Sequence, residues 1–117
     1  MSTRLLTVVE LALFLRAAAK VWSEGERDEF VDYVAANPEV GEVIPETGGL
    51  RKVRWTRQGM GKRGGVRVIY YYYDMELPLY LITVYAKAAR EGLTPEEKRT
   101  LTALAAELKR QGRAERR

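Results

Sequence analysis

Seven basic side chains in a stretch without carboxylates are the residues of this chain best suited to chemistry. No Asp or Glu lies between Glu46 and Asp74, and the interval holds six of the ten glycines. Because like charges repel, folding alone gives little reason to keep such a cluster, whereas a polyanion such as RNA or DNA would bind it. A solvated basic face is the alternative, but short strands around a glycine-rich turn favour a functional site. The basic residues are Arg51, Lys52, Arg54, Arg57, Lys62, Arg63 and Arg67.

The side chains that are missing restrict this chemistry further. The chain contains no Cys and no His, which removes thiolate catalysis, the commonest general base and the favoured zinc ligands. Any reaction must therefore use Lys, Arg, Tyr, Asp or Glu, or a bound ion. We expect neither a metal nor another cofactor. Because no disulfide framework indicates an oxidising compartment, we expect a cytoplasmic protein.

The basic side chains of adjacent strands could form a catalytic group. Lys52 and Arg54 alternate with the apolar Val53, so they share one strand face, and Arg67 and Lys87 could join them if the strand register allows it. Arginine holds phosphate oxygens, and a lysine among other cations can act as a base. RNA supplies its own 2′-hydroxyl nucleophile, so such a group could cleave RNA without His or a metal. Phosphate binding without chemistry fits the same residues equally well.

Further candidate RNA contacts surround this group. Tyr71 and Tyr73 share a strand face with Arg67 and could stack on bases, whereas Tyr70 and Tyr72 are expected to pack in the core. The basic side chains that could contact RNA are Arg51, Arg57, Lys62 and Arg63.

Four segments rich in β-branched and aromatic residues predict the strands that position these side chains. They are residues 7–10, 50–56, 66–74 and 79–87, and the last three form an antiparallel meander. Residues 40–47 are predicted to be a connector.

Helices are predicted on either side of the meander. Residues 11–21 are rich in Leu and Ala, and capping boxes at Ser23 and Thr94 open two more helices. The pattern predicts a single α+β domain over residues 1–117, with one core and a frayed tail at 112–117. The first residues do not resemble a signal peptide, and no apolar run could span a membrane.

The combined pattern resembles the HigB branch of the RelE/ParE toxin superfamily. The residues that carry this resemblance are Gly-Gly-Leu-Arg-Lys-Val-Arg-Trp at 48–55, Gly-Lys-Arg-Gly-Gly-Val-Arg-Val-Ile-Tyr-Tyr at 61–71 and Val-Tyr-Ala-Lys at 84–87. The likeness extends over roughly residues 7–108. It implies a RelE-like (microbial RNase-like) α+β fold, with N-terminal helices and a C-terminal helix against a twisted antiparallel sheet of about four strands.

The resemblance also implies a function. Family nucleases are metal-independent toxins of type II toxin–antitoxin modules that cleave mRNA in the ribosomal A site. Their working cations fall here, by strand position, on Lys52, Arg54, Arg67 and Lys87. The implied partners are the ribosome, mRNA and a cognate antitoxin, a HigA-like helix-turn-helix protein.

Three functions remain compatible with this resemblance. RelE itself has a tyrosine near its C-terminus, but this chain has none after Tyr85, and other family nucleases use His. No residue is therefore assigned to protonate the leaving 5′-oxygen. The alternatives to an endoribonuclease are a protein-directed inhibitor, such as the gyrase poisons of the ParE branch, and a non-catalytic RNA-binding relative.

Overall fold

Five strands and three helices form the chain, as described by a computed structural model for residues 6–56 and 65–115. The predicted α+β class is confirmed. No helix within those two ranges is long and apolar enough to cross a membrane. In chain order the elements are β1 (Val8–Glu10), α1 (Ala12–Ala18), α2 (Glu24–Ala36), β2 (Glu42–Val43), β3 (Leu50–Trp55), β4 (Val66–Tyr71), β5 (Leu79–Ala86) and α3 (Pro95–Glu115).

The sheet is mixed and has one strand more than predicted. Its strand order is β1-β5-β4-β3-β2, and β1 runs parallel to β5 whereas the other pairs are antiparallel. The segment that forms β2 was predicted to be part of the connector at residues 40–47. Its two exposed residues are too few to give the alternating pattern of a strand. The partner of β1 is separated from it by most of the chain, so local patterns could not identify the parallel pair.

The first face of the sheet carries the larger core, against α1 and α2. Phe14 from α1 and Phe30 and Val34 from α2 are fully buried against strand residues that include Val53 and Val68. These strand side chains have the alternation that the sequence predicted for the core side of β3 and β4.

The second face is also covered, which corrects the prediction of a single core. Here Leu50, Ile69 and Tyr71 pack against Leu101 and Ala105 of α3. The face that carries Lys52 and Arg54 is therefore shared with a helix. The basic side chains lie at the part of this face where they remain exposed or half-buried.

Both predicted capping boxes are confirmed. The backbone N–H of Glu26 donates to the Ser23 hydroxyl at 3.2 Å, and that of Ser23 donates to the Glu26 carboxylate at 2.9 Å. At α3 the corresponding distances between Thr94 and Glu97 are 3.0 and 2.8 Å. Each box satisfies two backbone N–H groups that a helix start leaves without partners.

The C-terminal helix is longer than the sequence predicted. The frayed tail was expected to start at Gly112, but α3 continues through this residue to Glu115. Gly112 is buried against Leu77, and a Cβ at this position would lie only 2.7 Å from the Leu77 Cδ2 atom. This close contact holds the last turns of α3 against the loop before β5.

Candidate functional site

Two arginines and a tyrosine form a row across three strands on the second face. Arg54 of β3 is directly opposite Arg67 of β4, and Arg67 is directly opposite Tyr85 of β5. We call these three residues the Arg54–Arg67–Tyr85 row. Like charges directly opposite each other tend to destabilise a sheet, and an anion near both side chains would offset that cost. The Arg67 side chain is half-buried, and its Nη1 donates to the Val66 carbonyl at 3.4 Å. The register, which the sequence could not provide, therefore brings two predicted site residues together.

The two predicted lysines flank this row diagonally. Lys52 lies two residues before Arg54 on the same face of β3, so it is on one side of the row. Lys87 follows Tyr85 by two residues, just past the end of β5, on the other side. Its backbone N–H donates to the Gly65 carbonyl at 3.1 Å, which continues the pairing of β4 and β5.

The lysines differ in their ionic partners. The Lys87 ammonium nitrogen is 3.7 Å from a carboxylate oxygen of Glu91, which is almost fully exposed. Lys52 and Arg54 form no ion pair with any residue in 6–56 or 65–115. An exposed pair such as Lys87–Glu91 contributes little stability, so it leaves the Lys87 side chain able to change partners.

Arg51 does not belong to the basic face, which corrects its prediction as an RNA contact. It lies on the same side of β3 as Val53, and its Nη1 donates to the carbonyl oxygens of Gly41 at 2.8 Å and Glu39 at 3.2 Å. The hydroxyl of Tyr70 binds the same segment, because it accepts from the Gly41 N–H at 2.8 Å and donates to the Pro38 carbonyl at 2.8 Å. Arg51 is thus a structural residue that secures the segment before β2.

The two predicted stacking tyrosines differ in their surroundings. Tyr71 is 2% exposed and packs in the second core, because α3 covers this part of the sheet. Its ring is not available to a base. Tyr73 lies beyond the end of β4, and the Lys109 ammonium nitrogen is 4.4 Å from its ring centroid. The remaining predicted RNA contacts, Arg57, Lys62 and Arg63, lie outside the described residues.

Tyr85 is a further candidate site residue, which was not predicted from the sequence. Its side chain is 7% exposed, and its hydroxyl has no hydrogen-bond partner among the described residues. Burial raises the pKa of Tyr85 above its ordinary value, and the charges of Arg90 and Arg67 oppose this rise. The hydroxyl therefore keeps its proton at neutral pH. The alternation that places Tyr85 on the face of Lys87 was the available signal.

Arg90 secures the loop that covers Tyr85. Its guanidinium carbon lies 5.0 Å from the centre of the Tyr85 ring, a cation–π distance. Its Nη2 donates to the Gly92 carbonyl at 2.7 Å, and the group also forms an ion pair with Glu97. The hydrogen bonds from Arg90, followed by that from the Thr94 backbone, lower the pKa of Glu97 to about 2. One carboxylate thus caps α3 and holds the preceding loop.

A groove opens beside the row, between the sheet and the start of α3. Its volume is about 260 Å³. We call it the Tyr85 groove. Lys98, in the first turn of α3, also lines the groove, although no local sequence pattern relates it to the strands. The lining residues are Ile44, Lys52, Ile69, Tyr85, Gly92, Leu93 and Lys98.

Comparison with known protein families identifies the chain. Residues 15–115 match the family model described as the RelE toxin of the RelE/RelB toxin–antitoxin system. The chain belongs to the RelE toxin family. Membership implies toxin function and an antitoxin partner.

A solved structure of a RelE toxin supports the fold. The chain is similar to the free state of a mutant of the E. coli toxin RelE, with 17% sequence identity and a TM-score of 0.54. The match covers 75% of this chain and 90% of that one. At this identity the likeness shows a shared fold, whereas residue roles have to be argued from the site itself.

The candidate site of this RelE-family toxin is small and cationic. Three of the four predicted catalytic residues, Lys52, Arg54 and Arg67, lie on one face of adjacent strands. The fourth, Lys87, lies at the end of the neighbouring strand. Tyr85 completes the row between them.

Proposed function

We propose that this RelE-family toxin is a ribosome-dependent mRNA endonuclease of the HigB branch, which inhibits translation. The observation that supports this most strongly is the direct pairing of Arg54 with Arg67 across β3 and β4. A phosphodiester between the two guanidinium groups would convert their repulsion into charge-assisted hydrogen bonds. The resemblance of the chain to metal-independent nucleases of this family supports cleavage over binding alone.

In the proposed reaction, the RNA supplies the nucleophile. The 2′-oxygen attacks the adjacent phosphorus, the bond from phosphorus to the 5′-oxygen breaks, and the products are a 2′,3′-cyclic phosphate and a 5′-hydroxyl. Arg54 and Arg67 hold the phosphate and stabilise the charge that develops on it.

The lysines on opposite sides of the row take the proton-transfer roles. Lys52 accepts the proton of the 2′-hydroxyl, and Lys87 donates a proton to the leaving 5′-oxygen. Their diagonal placement supports this division, because the attacking and leaving oxygens lie on opposite sides of the phosphorus in an in-line displacement. Exchange of these roles between the two lysines is the alternative.

The proposed partners follow from this activity. The toxin would act in the cytoplasm on mRNA held by the ribosome, and Arg57, Lys62 and Arg63 would contact mRNA or ribosomal RNA through their charges. A HigA-like helix-turn-helix antitoxin would neutralise it.

The test is replacement of the central arginine. We expect Arg67→Ala to abolish both growth arrest on induction and mRNA cleavage measured by primer extension, because the phosphate loses its central contact. Circular dichroism should show that the variant stays folded. The matched control is Arg16→Ala, an exposed arginine on α1, which should remain fully toxic. Full toxicity of Arg67→Ala would refute the assignment.

A further inference from the structure

The Tyr85 groove has the size of a site for one small group. Its volume of about 260 Å³ lies just below the range of roughly 300–1,000 Å³ that is typical of sites for drug-sized ligands. A single nucleoside is smaller than such a ligand. The groove also continues directly from the Arg54–Arg67–Tyr85 row, since Tyr85 belongs to both.

The lining combines apolar walls with two cations. Ile69 is fully buried at its base, and Ile44 and Leu93 are half-buried beside it. Lys52 and Lys98 line the groove, and neither forms an ion pair with a residue of the described chain. Aliphatic and aromatic surfaces suit the face of a nucleobase, and the ammonium groups complement the phosphates on either side of it.

The hydroxyl of Tyr85 is a second, independent indication of a ligand. It is buried without a hydrogen-bond partner among the described residues, although buried hydroxyl groups are nearly always paired. It lies close beneath Gly92, where an added Cβ would be 3.8 Å away from the hydroxyl oxygen. A small shift of the Gly92 segment would let an acceptor on the edge of a base reach this donor.

We infer that the Tyr85 groove binds the base of the nucleotide on the 5′ side of the cleaved bond. This inference rests on the proposed function, because Lys52 both lines the groove and shares a face of β3 with Arg54. The nucleotide whose 2′-hydroxyl approaches Lys52 is the one on the 5′ side of the phosphate. Its base therefore points into the groove, where Tyr85 donates a hydrogen bond to its edge.

A direct binding experiment tests the groove without any cleavage. The full chain is titrated with the four nucleoside 3′-monophosphates and with ribose 5-phosphate, which lacks a base, and backbone amide resonances are followed. We expect at least one nucleotide to bind about tenfold more tightly than ribose 5-phosphate, as base stacking would give. The amides of Gly92 and Leu93 should shift with it. Equal affinities for nucleotides and ribose 5-phosphate would overturn the inference.

A groove-filling variant makes this test specific. In Gly92→Leu the new side chain would occupy the space over Tyr85, so the preference for nucleotides over ribose 5-phosphate should disappear while ribose phosphate still binds. The control is Gly25→Leu, at an exposed position in the first turn of α2 where a Cβ meets only the Ser23 hydroxyl at 4.0 Å. A preference that persists in Gly92→Leu would contradict the inference.

Removal of one groove cation provides a second variant that leaves the loop unchanged. Lys98→Ala should weaken nucleotide binding several-fold, on the order of one lost phosphate contact. Lys20→Ala, which removes an exposed lysine after α1, should not. If Lys98→Ala and the unsubstituted chain bound nucleotides with equal affinity, nucleotide binding in the Tyr85 groove would be contradicted.

Mapping of cut sites separates this inference from the proposed function. If the groove reads a base, the unsubstituted toxin should prefer certain nucleotides on the 5′ side of the cut, and Gly92→Leu should reduce that preference. If Gly92→Leu cuts at the same sites with the same preference, the groove inference fails and the nuclease proposal stands. If the unsubstituted toxin cuts no mRNA, the proposed function fails, and the titration alone decides whether the groove binds nucleotides.

Discussion

Arg54 and Arg67 place two like charges at opposing positions of neighbouring strands. Their Cα atoms are partners in the β3–β4 register, and both side chains lie on the same face. Like charges so placed typically cost a sheet a few tenths of a kcal/mol up to about 1 kcal/mol. Positions selected for function commonly show such local conflicts with stability.

The conflict predicts that activity and stability change in opposite directions at Arg54. In Arg54→Ala we expect mRNA cleavage to be lost, while the free energy of unfolding in urea stays equal or rises by up to about 0.5 kcal/mol, because a like-charge pair is removed. The exposed Arg16→Ala should change neither quantity. A variant that is destabilised by more than about 1 kcal/mol would show that Arg54 has a structural role.

Single residues differ in how far the sequence predicts their surroundings. Lys52 and Arg54 could be placed on one face from alternation with Val53, and the structure agrees. The same alternation puts Arg51 on the opposite face, so its role as an anchor of the Glu39–Gly41 backbone was partly foreseeable. The partners themselves were not, since they lie ten to twelve residues away in the chain.

At the scale of elements, the start of α3 and the loop before it form one unit through Glu97. This carboxylate accepts from the Thr94 N–H at 2.8 Å and forms an ion pair with Arg90, which also binds the Gly92 carbonyl. The loop therefore depends on the helix cap, and the loop in turn lies over Tyr85.

This unit predicts a specific pH dependence of stability. Folding lowers the pKa of Glu97 from its ordinary 4.5 to about 2, so its stabilising contribution is present above pH 4.5. That contribution is lost as the pH falls through 4.5 towards 2 and the carboxylate becomes protonated. Glu97→Gln retains a capping acceptor but lacks the charge, so it should be less stable than the unsubstituted chain at pH 7. The difference between them should narrow as the pH falls over this range.

Urea unfolding at a series of pH values measures this difference. Glu96→Gln, an exposed carboxylate in the same turn, is the matched control, because Arg90 binds Glu97. The assigned ion pair would be contradicted if the difference in free energy of unfolding between Glu97→Gln and the unsubstituted chain stayed constant as the pH fell from 7 into the acid range.

The helix starts were easier to predict from the sequence than the strand register and the packing of helices on the sheet. Capping boxes at Ser23 and Thr94 are local signals, and both are confirmed. The register that places Arg67 between Arg54 and Tyr85 depends on packing from both faces, which no local pattern contains. The burial of Tyr71 likewise depends on α3, which follows only after β5 in the chain.

At the scale of the whole molecule, the sheet lies between two hydrophobic cores, and its basic side chains are concentrated on the long strands. Residues 1–46 carry nine acidic and four basic side chains, whereas residues 47–90 carry nine basic and two acidic ones. The acidic part forms β1, α1, α2 and β2, and the basic part forms the three long strands. The separation is incomplete at the site, because Glu42 of β2 lies directly opposite Lys52 and the charge of Glu97 acts on Tyr85. The surplus of basic side chains on the long strands still favours the approach of a polyanion.

The most direct test of the nuclease proposal uses purified toxin with ribosomes that carry a defined mRNA. Primer extension should reveal a cut within the codon in the A site, with a 5′-hydroxyl on the downstream fragment. The same mRNA without ribosomes should remain intact, and Arg67→Ala should cut neither. Ribosome-bound mRNA that stays intact while the toxin blocks DNA supercoiling by gyrase would contradict the proposal and favour a ParE-like inhibitor.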